Sequence, residues 1–293
     1  MMPLVRRAHG HSPLGDEEAG ALRALGVTPL EIHEVTALPS VAATRRTLRV
    51  VVAEGHSLKV RRYSRPARAR VAVALRRGLS NDRLPGILLF TGRVLVEEWI
   101  EGVSLAHLPL SEGRLQQAAD LLDGLHATRE VGGQSLPVSR RVRPLLRRAE
   151  RQLARLAAAA AVTEAERRRI ARALADFAPE HALAGVTHDD FCAENLVEDR
   201  SGRLFAVDNE HMRIGFLEFD LARAWYRWPM PGETWQRFRE RYGARHWPAD
   251  RETAPFWRLT AVLCSAYLRL VRLHGAGIEV PLGRLRELIG SLA

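Results

Sequence analysis

Strand-like runs fill the first hundred residues of this chain, and helical periodicity takes over after Gly102. That division constrains the fold more than any other feature. A side-chain period of two and a period of 3.6 bury different faces and need different partners. TLRVVVA (47–53) is rich in β-branched residues and ends at EGHS, and SLKVRRY (57–63) resumes the pattern, so the pair predicts a hairpin. PARARVAVALRRGL (66–79) suits a helix, and GILLF (86–90) with RVLVEEWI (93–100) predicts a second hairpin turning at Thr91-Gly92. Beyond Gly102, Ser111 caps a stretch in which Leu115, Ala118, Leu122 and Leu125 fall on one helical face. Val142, Leu145, Ala149, Leu153 and Leu156 repeat the pattern, Thr163 and Glu166 form a capping box, and 257–274 predicts a buried helix. The expected fold is α+β, with a small antiparallel β-rich N-lobe over residues 1–101 and a larger, mostly helical C-lobe over 102–293.

Composition narrows the function by exclusion. With 46% hydrophobic and 27% charged residues the chain suits a soluble globular protein. No apolar run approaches the roughly 18 residues that a membrane span needs, and the first twenty residues lack the apolar core of a secretory signal. Cys192 and Cys264 supply neither a disulfide framework nor a metal cluster, so a reducing cytoplasm is expected. The net charge of +10 invites a nucleic-acid reading. Against it, Lys and Arg never run beyond three in a row, and the basic segments lack interleaved aromatics. No nucleic-acid or membrane partner is expected, and an anionic substrate is compatible with the basic balance.

The chemistry concentrates in GVTHDDFCAENLVEDRSGRLFAVDNEHMRIGFLEFDLARAW (185–225). NLVEDRSGRLFAVD reads as a third hairpin turning over Asp199–Gly202, with His188, Asp189, Asp190 and Asn195 before it and Asp208, Asn209 and Glu210 after it. A hairpin brings its ends together, so Asp190, Asn195 and Asp208 are expected to converge. Hard oxygen ligands without thiolates or paired histidines suit Mg²⁺ rather than zinc. Asp190 to Asn195 also reproduces the D-x4-N spacing of a kinase catalytic loop. Phosphoryl transfer needs such a carboxylate, a metal-holding pair and a phosphate-holding lysine.

The chain has one lysine among its 44 Lys+Arg residues: Lys59, on the second predicted strand. An ammonium is a compact point charge and a guanidinium a planar fork, so a site requiring the former rejects the latter.

These residues resemble the aminoglycoside phosphotransferase and choline kinase branch of the protein-kinase-like fold over roughly residues 30 to 230. HDDFCAEN stands where that family carries H-G-D-x4-N, VDN where it carries I-D-[WFL], and FDLA where an acidic residue precedes Leu-Ala. LVEEWIEG (95–102) resembles the family's adenine hinge, and LLDGLHA its Leu-His element. The resemblance implies a bilobal kinase that uses ATP, with GTP as the alternative, and Mg²⁺ to phosphorylate a hydroxyl on an aminoglycoside-, sugar- or amino-alcohol-like acceptor. It implies Asp190 as catalytic base, Asn195 and Asp208 as metal residues, Lys59 on the α/β-phosphates, and the backbone of Glu98, Trp99 and Ile100 at the adenine. His188 and Asp220 are expected to be scaffold, with Asp220 bracing the loop. Asp189, Glu194, Glu210 and Glu218 are the acids available to a cationic acceptor.

Three departures stand out. The loop expected to cover phosphates (37–50) has no glycine and offers Ser40, Thr44 and Arg45 instead. The helix after Lys59 has no acid to pair with it, and Asp189 replaces the family's glycine. A pseudokinase scaffold and a kinase of a lipid-linked sugar are the competing readings.

Overall fold

A computed structural model describes residues 14–35, 46–53, 55–243 and 253–292. The first part of the chain runs α1 (Asp16–Ala24), β1 (Pro29–Glu34), β2 (Arg46–Val52), β3 (Ser57–Arg62), α2 (Pro66–Arg77), β4 (Ile87–Thr91), β5 (Val94–Glu98) and β6 (Gly102–Ser104). Among the described residues β1 to β5 form one antiparallel sheet in the order β1-β2-β3-β5-β4. Both expected hairpins are present, and Gly92 turns the second at φ 57°. Strand alternation sorts the faces. Leu48, Val50, Leu58, Val60, Val94 and Val96 join Ala21 and Leu22 of α1 in one apolar cluster. On the other face Leu95 packs against Ala69 and Val73 of α2. Each fully buried aliphatic side chain of this kind contributes about 1.5–3 kcal/mol.

The helical part begins with α3 (Glu112–Ala127), where the Ser111 hydroxyl accepts from the Arg114 N–H as the N-cap. Next come β7 (Glu130–Val131), β8 (Gln134–Ser135), β9 (Ser139–Arg141), α4 (Arg143–Ala158) and α5 (Glu164–Asp176). Thr163 and Glu166 close the expected capping box on α5. β10 (His181–Thr187), β11 (Leu196–Asp199), β12 (Leu204–Ala206) and β13 (Arg213–Phe216) follow. The chain ends with α6 (Leu217–Arg227), α7 (Gly232–Tyr242), α8 (Ala254–Arg272) and α9 (Glu279–Gly290). Leu145, Leu153, Leu156, Phe256, Leu263 and Leu285 belong to the large apolar cluster of this part.

The chain packs as two compact units, Met1–Leu110 with Ala193–Met212, and Ser111–Cys192 with Arg213–Ala293. This division differs from consecutive lobes meeting at 101–102, because the 193–212 segment belongs with the first unit. The cause is hydrogen bonding. β11 pairs with β12 and, on its other edge, with β6, aligning Val197 with Ser104 and Asp199 with Gly102. Gly102 is required there, since a Cβ would collide with the Glu198 carbonyl. The hairpin turn lies where the sequence put it: Asp199 Oδ1 accepts from the Ser201 N–H at 2.8 Å and the Arg203 N–H at 3.0 Å.

Candidate active site

In the first unit the site is built on β3 and β5. Leu58 and Val60 are committed to the apolar cluster, so alternation turns Lys59 and Arg61 to the opposite face. Lys59 is directly across from Glu97 in the β3–β5 register, with its Nζ 3.2 Å from Glu97 Oε1. Glu97 Oε2 accepts from Arg76 Nη1 of α2 at 2.5 Å, and Arg76 Nη2 donates to the Pro85 carbonyl at 2.7 Å. The acid missing from the helix is therefore on the neighbouring strand, and α2 contributes a cation to the same network. Burial opposes ionisation of Glu97, but Lys59 and Arg76 outweigh it and hold its carboxyl below the usual range.

Asp208 meets the same strand. Its Oδ1 accepts from Lys59 Nζ at 3.0 Å and from Arg61 Nη1 at 2.8 Å. Arg61 also lies 3.2 Å from Glu210 Oε2, and both of those side chains are buried. Three cations thus face three carboxylates. Burial again opposes ionisation of Asp208, and Arg61 with Lys59 drives its carboxyl well below the usual range. Asp208 has φ 62° and ψ 38°, a left-handed conformation that costs a non-glycine residue about 1 kcal/mol. Such outliers are found preferentially at functional sites.

Asn195 and Asp208 flank the base of the β11–β12 hairpin, where the Val207 N–H donates to the Asn195 carbonyl at 2.9 Å. Among the described residues no group of three His, Cys, Asp or Glu side chains could hold a metal by itself. An amide oxygen and one carboxylate nevertheless fit Mg²⁺, which keeps several waters and takes phosphate oxygens. Among the described residues both cation contacts of Asp208 fall on Oδ1.

A cleft of about 490 Å³ opens beside this network, lined by Ser57, Leu58, Trp99, Ile100, Asp199 and Phe205 among others. Glu98 and Trp99 line it but have already spent their N–H groups, on the Gly86 carbonyl at 2.9 Å and the Ser57 carbonyl at 3.3 Å. Of Glu98, Trp99 and Ile100, Ile100 alone has an N–H outside such pairing among the described residues. Arg49 lies over the Trp99 ring at 5.2 Å and reaches Glu101 at 2.5 Å. Ser40, Thr44 and Arg45 lie outside the described residues.

In the second unit Asp190 follows β10. Its Oδ1 accepts from Arg223 Nη2 and Arg227 Nε, each at 3.1 Å. These arginines are four apart on α6, so one helix face presents both. Asp220, also on α6, accepts from the His188 N–H and the Asp189 N–H, each at 2.7 Å. It is fully buried beside His126, whose Nε2 is 3.1 Å away. Burial opposes its charge, but hydrogen bonding and the nearby histidine lower its carboxyl below the usual range. His188 is wholly buried and its Nδ1 accepts from the Asp190 N–H at 3.3 Å, a scaffold position.

Asp189 adopts φ 63°, which explains why a glycine suits this position, and it pairs with Arg213. Glu210 and Glu218 are buried, and the Glu218 carboxyl is raised to about 7 by that burial. Sequence reasoning missed Arg61, Arg76, Glu97, Arg223 and Arg227. The alternation of β3 and β5 held a signal for Arg61 and Glu97, since both fall in phase with Lys59 across adjacent strands.

The Phosphotransferase enzyme family matches residues 34–256. No protein of curated function matches the chain in sequence. Among solved structures, the chain resembles a thermostable mutant of aminoglycoside phosphotransferase APH(4)-Ia in ternary complex with ADP and hygromycin B. Identity is 18%, with 92% of this chain and 96% of that one covered at a TM-score of 0.66. It also resembles the apoenzyme of the macrolide 2'-phosphotransferase MphH from Brachybacterium faecium, at 16% identity, 89% and 96% coverage and TM-score 0.62. The choline kinase LicA from Streptococcus pneumoniae follows at 14% identity, 94% and 98% coverage and TM-score 0.65. These likenesses establish the protein-kinase-like α+β fold, and the family match decides the rest: the chain belongs to the Phosphotransferase enzyme family and is a phosphotransferase.

Proposed function

We propose that this phosphotransferase moves the γ-phosphoryl group of ATP to a hydroxyl of a small molecule, with Mg²⁺ as cofactor. The contact of Lys59 with Asp208, residues 149 apart in the chain, carries the reading. It joins a phosphate-holding cation to a metal-holding carboxylate, the pair that phosphoryl transfer needs. A solved neighbour described in complex with ADP and hygromycin B supports the nucleotide and a hydroxyl-bearing acceptor. Mg²⁺ held by Asn195 and Asp208 would supply positive charge against the negative charge that develops on the transferring phosphoryl group.

The residues then take distinct roles. The hinge cleft receives the adenine, with the Ile100 N–H as donor, and Lys59 holds the α/β-phosphates. Asn195 and Asp208 hold the metal. Asp190 orients the acceptor hydroxyl and takes its proton as the oxygen bonds to the γ-phosphorus. The bond from that phosphorus to the β-phosphate oxygen breaks, and ADP leaves with the electron pair. A sugar-like acceptor is favoured over a polycation, because Glu210 and Glu218 are buried, Asp189 is paired with Arg213, and two arginines neutralise Asp190.

Purified protein offered ATP, Mg²⁺ and a panel of hydroxylated acceptors should release ADP with at least one of them. Asp190→Asn should keep nucleotide affinity and lose about two orders of magnitude in turnover. Near-normal turnover in that variant would remove Asp190 from the mechanism.

A further inference from the structure

Two cations converge on one oxygen of the Asp208 carboxylate, within a network whose three cations and three carboxylates balance. Lys59 and Arg61 both donate to its Oδ1, at 3.0 and 2.8 Å, and both cations are buried. A dication approaching the other oxygen of this partly exposed carboxylate would come close to two resident cations, both buried and so less screened than surface charges. The two differ in what the proposed function asks of them. Lys59, shared between Asp208 and Glu97, is the cation assigned to the phosphates. Arg61 has no such assignment: its buried side chain is held between Asp208 at 2.8 Å and Glu210 at 3.2 Å. When phosphates draw Lys59 away, Arg61 stays.

We propose that Arg61 is a built-in counter-cation for Asp208 that makes divalent-metal binding at this carboxylate conditional on nucleotide phosphates. This rests on the reading of Asp208 as a metal-holding residue. Without nucleotide, Arg61 and Lys59 satisfy the carboxylate and repel a dication. The negative charge of a triphosphate offsets that repulsion, so metal and nucleotide enter as a unit. By linkage, nucleotide strengthens metal binding by the same factor as metal strengthens nucleotide binding. Arg61 is a positioning residue, because it acts through Asp208 rather than on the reacting atoms.

The probe is Mn²⁺ titrated into the full chain and followed by the loss of its free electron-paramagnetic-resonance signal, with and without a non-hydrolysable ATP analogue. Wild type should bind Mn²⁺ weakly alone and on the order of 100-fold more tightly with the analogue, near the upper end of ordinary coupling. Arg61→Gln should bind Mn²⁺ alone about ten-fold more tightly than wild type and lose the same factor of coupling. Arg61→Lys, which keeps the cation, should behave as wild type. If Asp208→Asn abolishes analogue-dependent binding while Arg61→Gln leaves metal-only affinity unchanged, the role of Arg61 is refuted and the reading of Asp208 stands. If Asp208→Asn leaves analogue-dependent binding intact, the reading of Asp208 falls and this inference falls with it. Should Arg61→Gln fail to fold, wild type still decides: Mn²⁺ affinity equal with and without the analogue overturns the proposal.

Discussion

Lys59 and Glu97 face each other across adjacent antiparallel strands, with Nζ 3.2 Å from Oε1. The pairing shows how β3 keeps its lysine ordered when the following helix offers no acid. Glu97 is shared: one oxygen serves Lys59 and the other Arg76 of α2, so the helix is tied to the sheet through the carboxylate that positions the lysine.

That geometry makes Lys59 hard to replace. Lys59→Arg should cost nearly as much kcat/KM for nucleotide as Lys59→Ala, about ten-fold or more. A planar guanidinium is larger than the ammonium it replaces and, buried beside Arg61, would push the phosphates or the strand aside. Steady-state kinetics at varied nucleotide measures this, and a Lys59→Arg enzyme within about two-fold of wild type would assign the lone lysine to chance.

Glu97→Gln should destabilise the first unit more than it impairs chemistry. It leaves Lys59 and Arg76 buried against a neutral amide, and breaking a buried pair in this way costs roughly 3–5 kcal/mol. A fall in Tm of more than about 5 °C in a thermal melt is expected. An unchanged Tm would show the network to be energetically idle.

The Glu218 carboxyl gives a pH signature. Its pKa is about 7 in the folded protein against 4.5 ordinarily, with burial as the cause, and the Leu183 N–H donates to its Oε1 at 2.9 Å. The folded state therefore binds the extra proton between those values. Stability falls as pH rises from about 4.5 to about 7 and is level above. Glu218→Gln, neutral and still an acceptor for Leu183, should match wild type near pH 5. At pH 8 it should be more stable, by up to about 3 kcal/mol at 1.36 kcal/mol per pKa unit. Parallel Tm curves for the two proteins from pH 5 to 8 would contradict this.

At Asp189 the backbone separates two substitutions. With φ 63° the position favours glycine, and the buried Oδ1 lacks a hydrogen-bond partner. Asp189→Gly should lie within about 1 kcal/mol of wild type, since relief of strain offsets loss of the Arg213 pair. Asp189→Ala loses the pair and keeps the left-handed strain, so it should be less stable than the glycine variant by about 1 kcal/mol. Denaturant titration of both variants decides, and an alanine variant as stable as the glycine one would show the conformation relaxes.

Much of the fold was legible because its signals are local. Hydrophobic period, Ser111 as N-cap, the Thr163 capping box and the Asp199 turn each act within a few residues, and each element formed where it was read. The lone Lys59 and the spacing from Asp190 to Asn195 to Asp208 drew attention by residue type and interval alone, and the fold sets Lys59 against Asp208. Tertiary structure decided who stands beside whom. Register between β3 and β5 chose Glu97 for Lys59, although Glu98 is its chain neighbour and shares its chemistry. Pairing of β11 with β6 moved residues 193–212 into the first unit, and packing of α6 brought Arg223 and Arg227 onto Asp190 from more than thirty residues away. The physical reason is the same in each case: local propensity is written in neighbouring residues, whereas a buried charge takes whichever partner the fold brings within about 3 Å, and desolvation makes that choice costly to change.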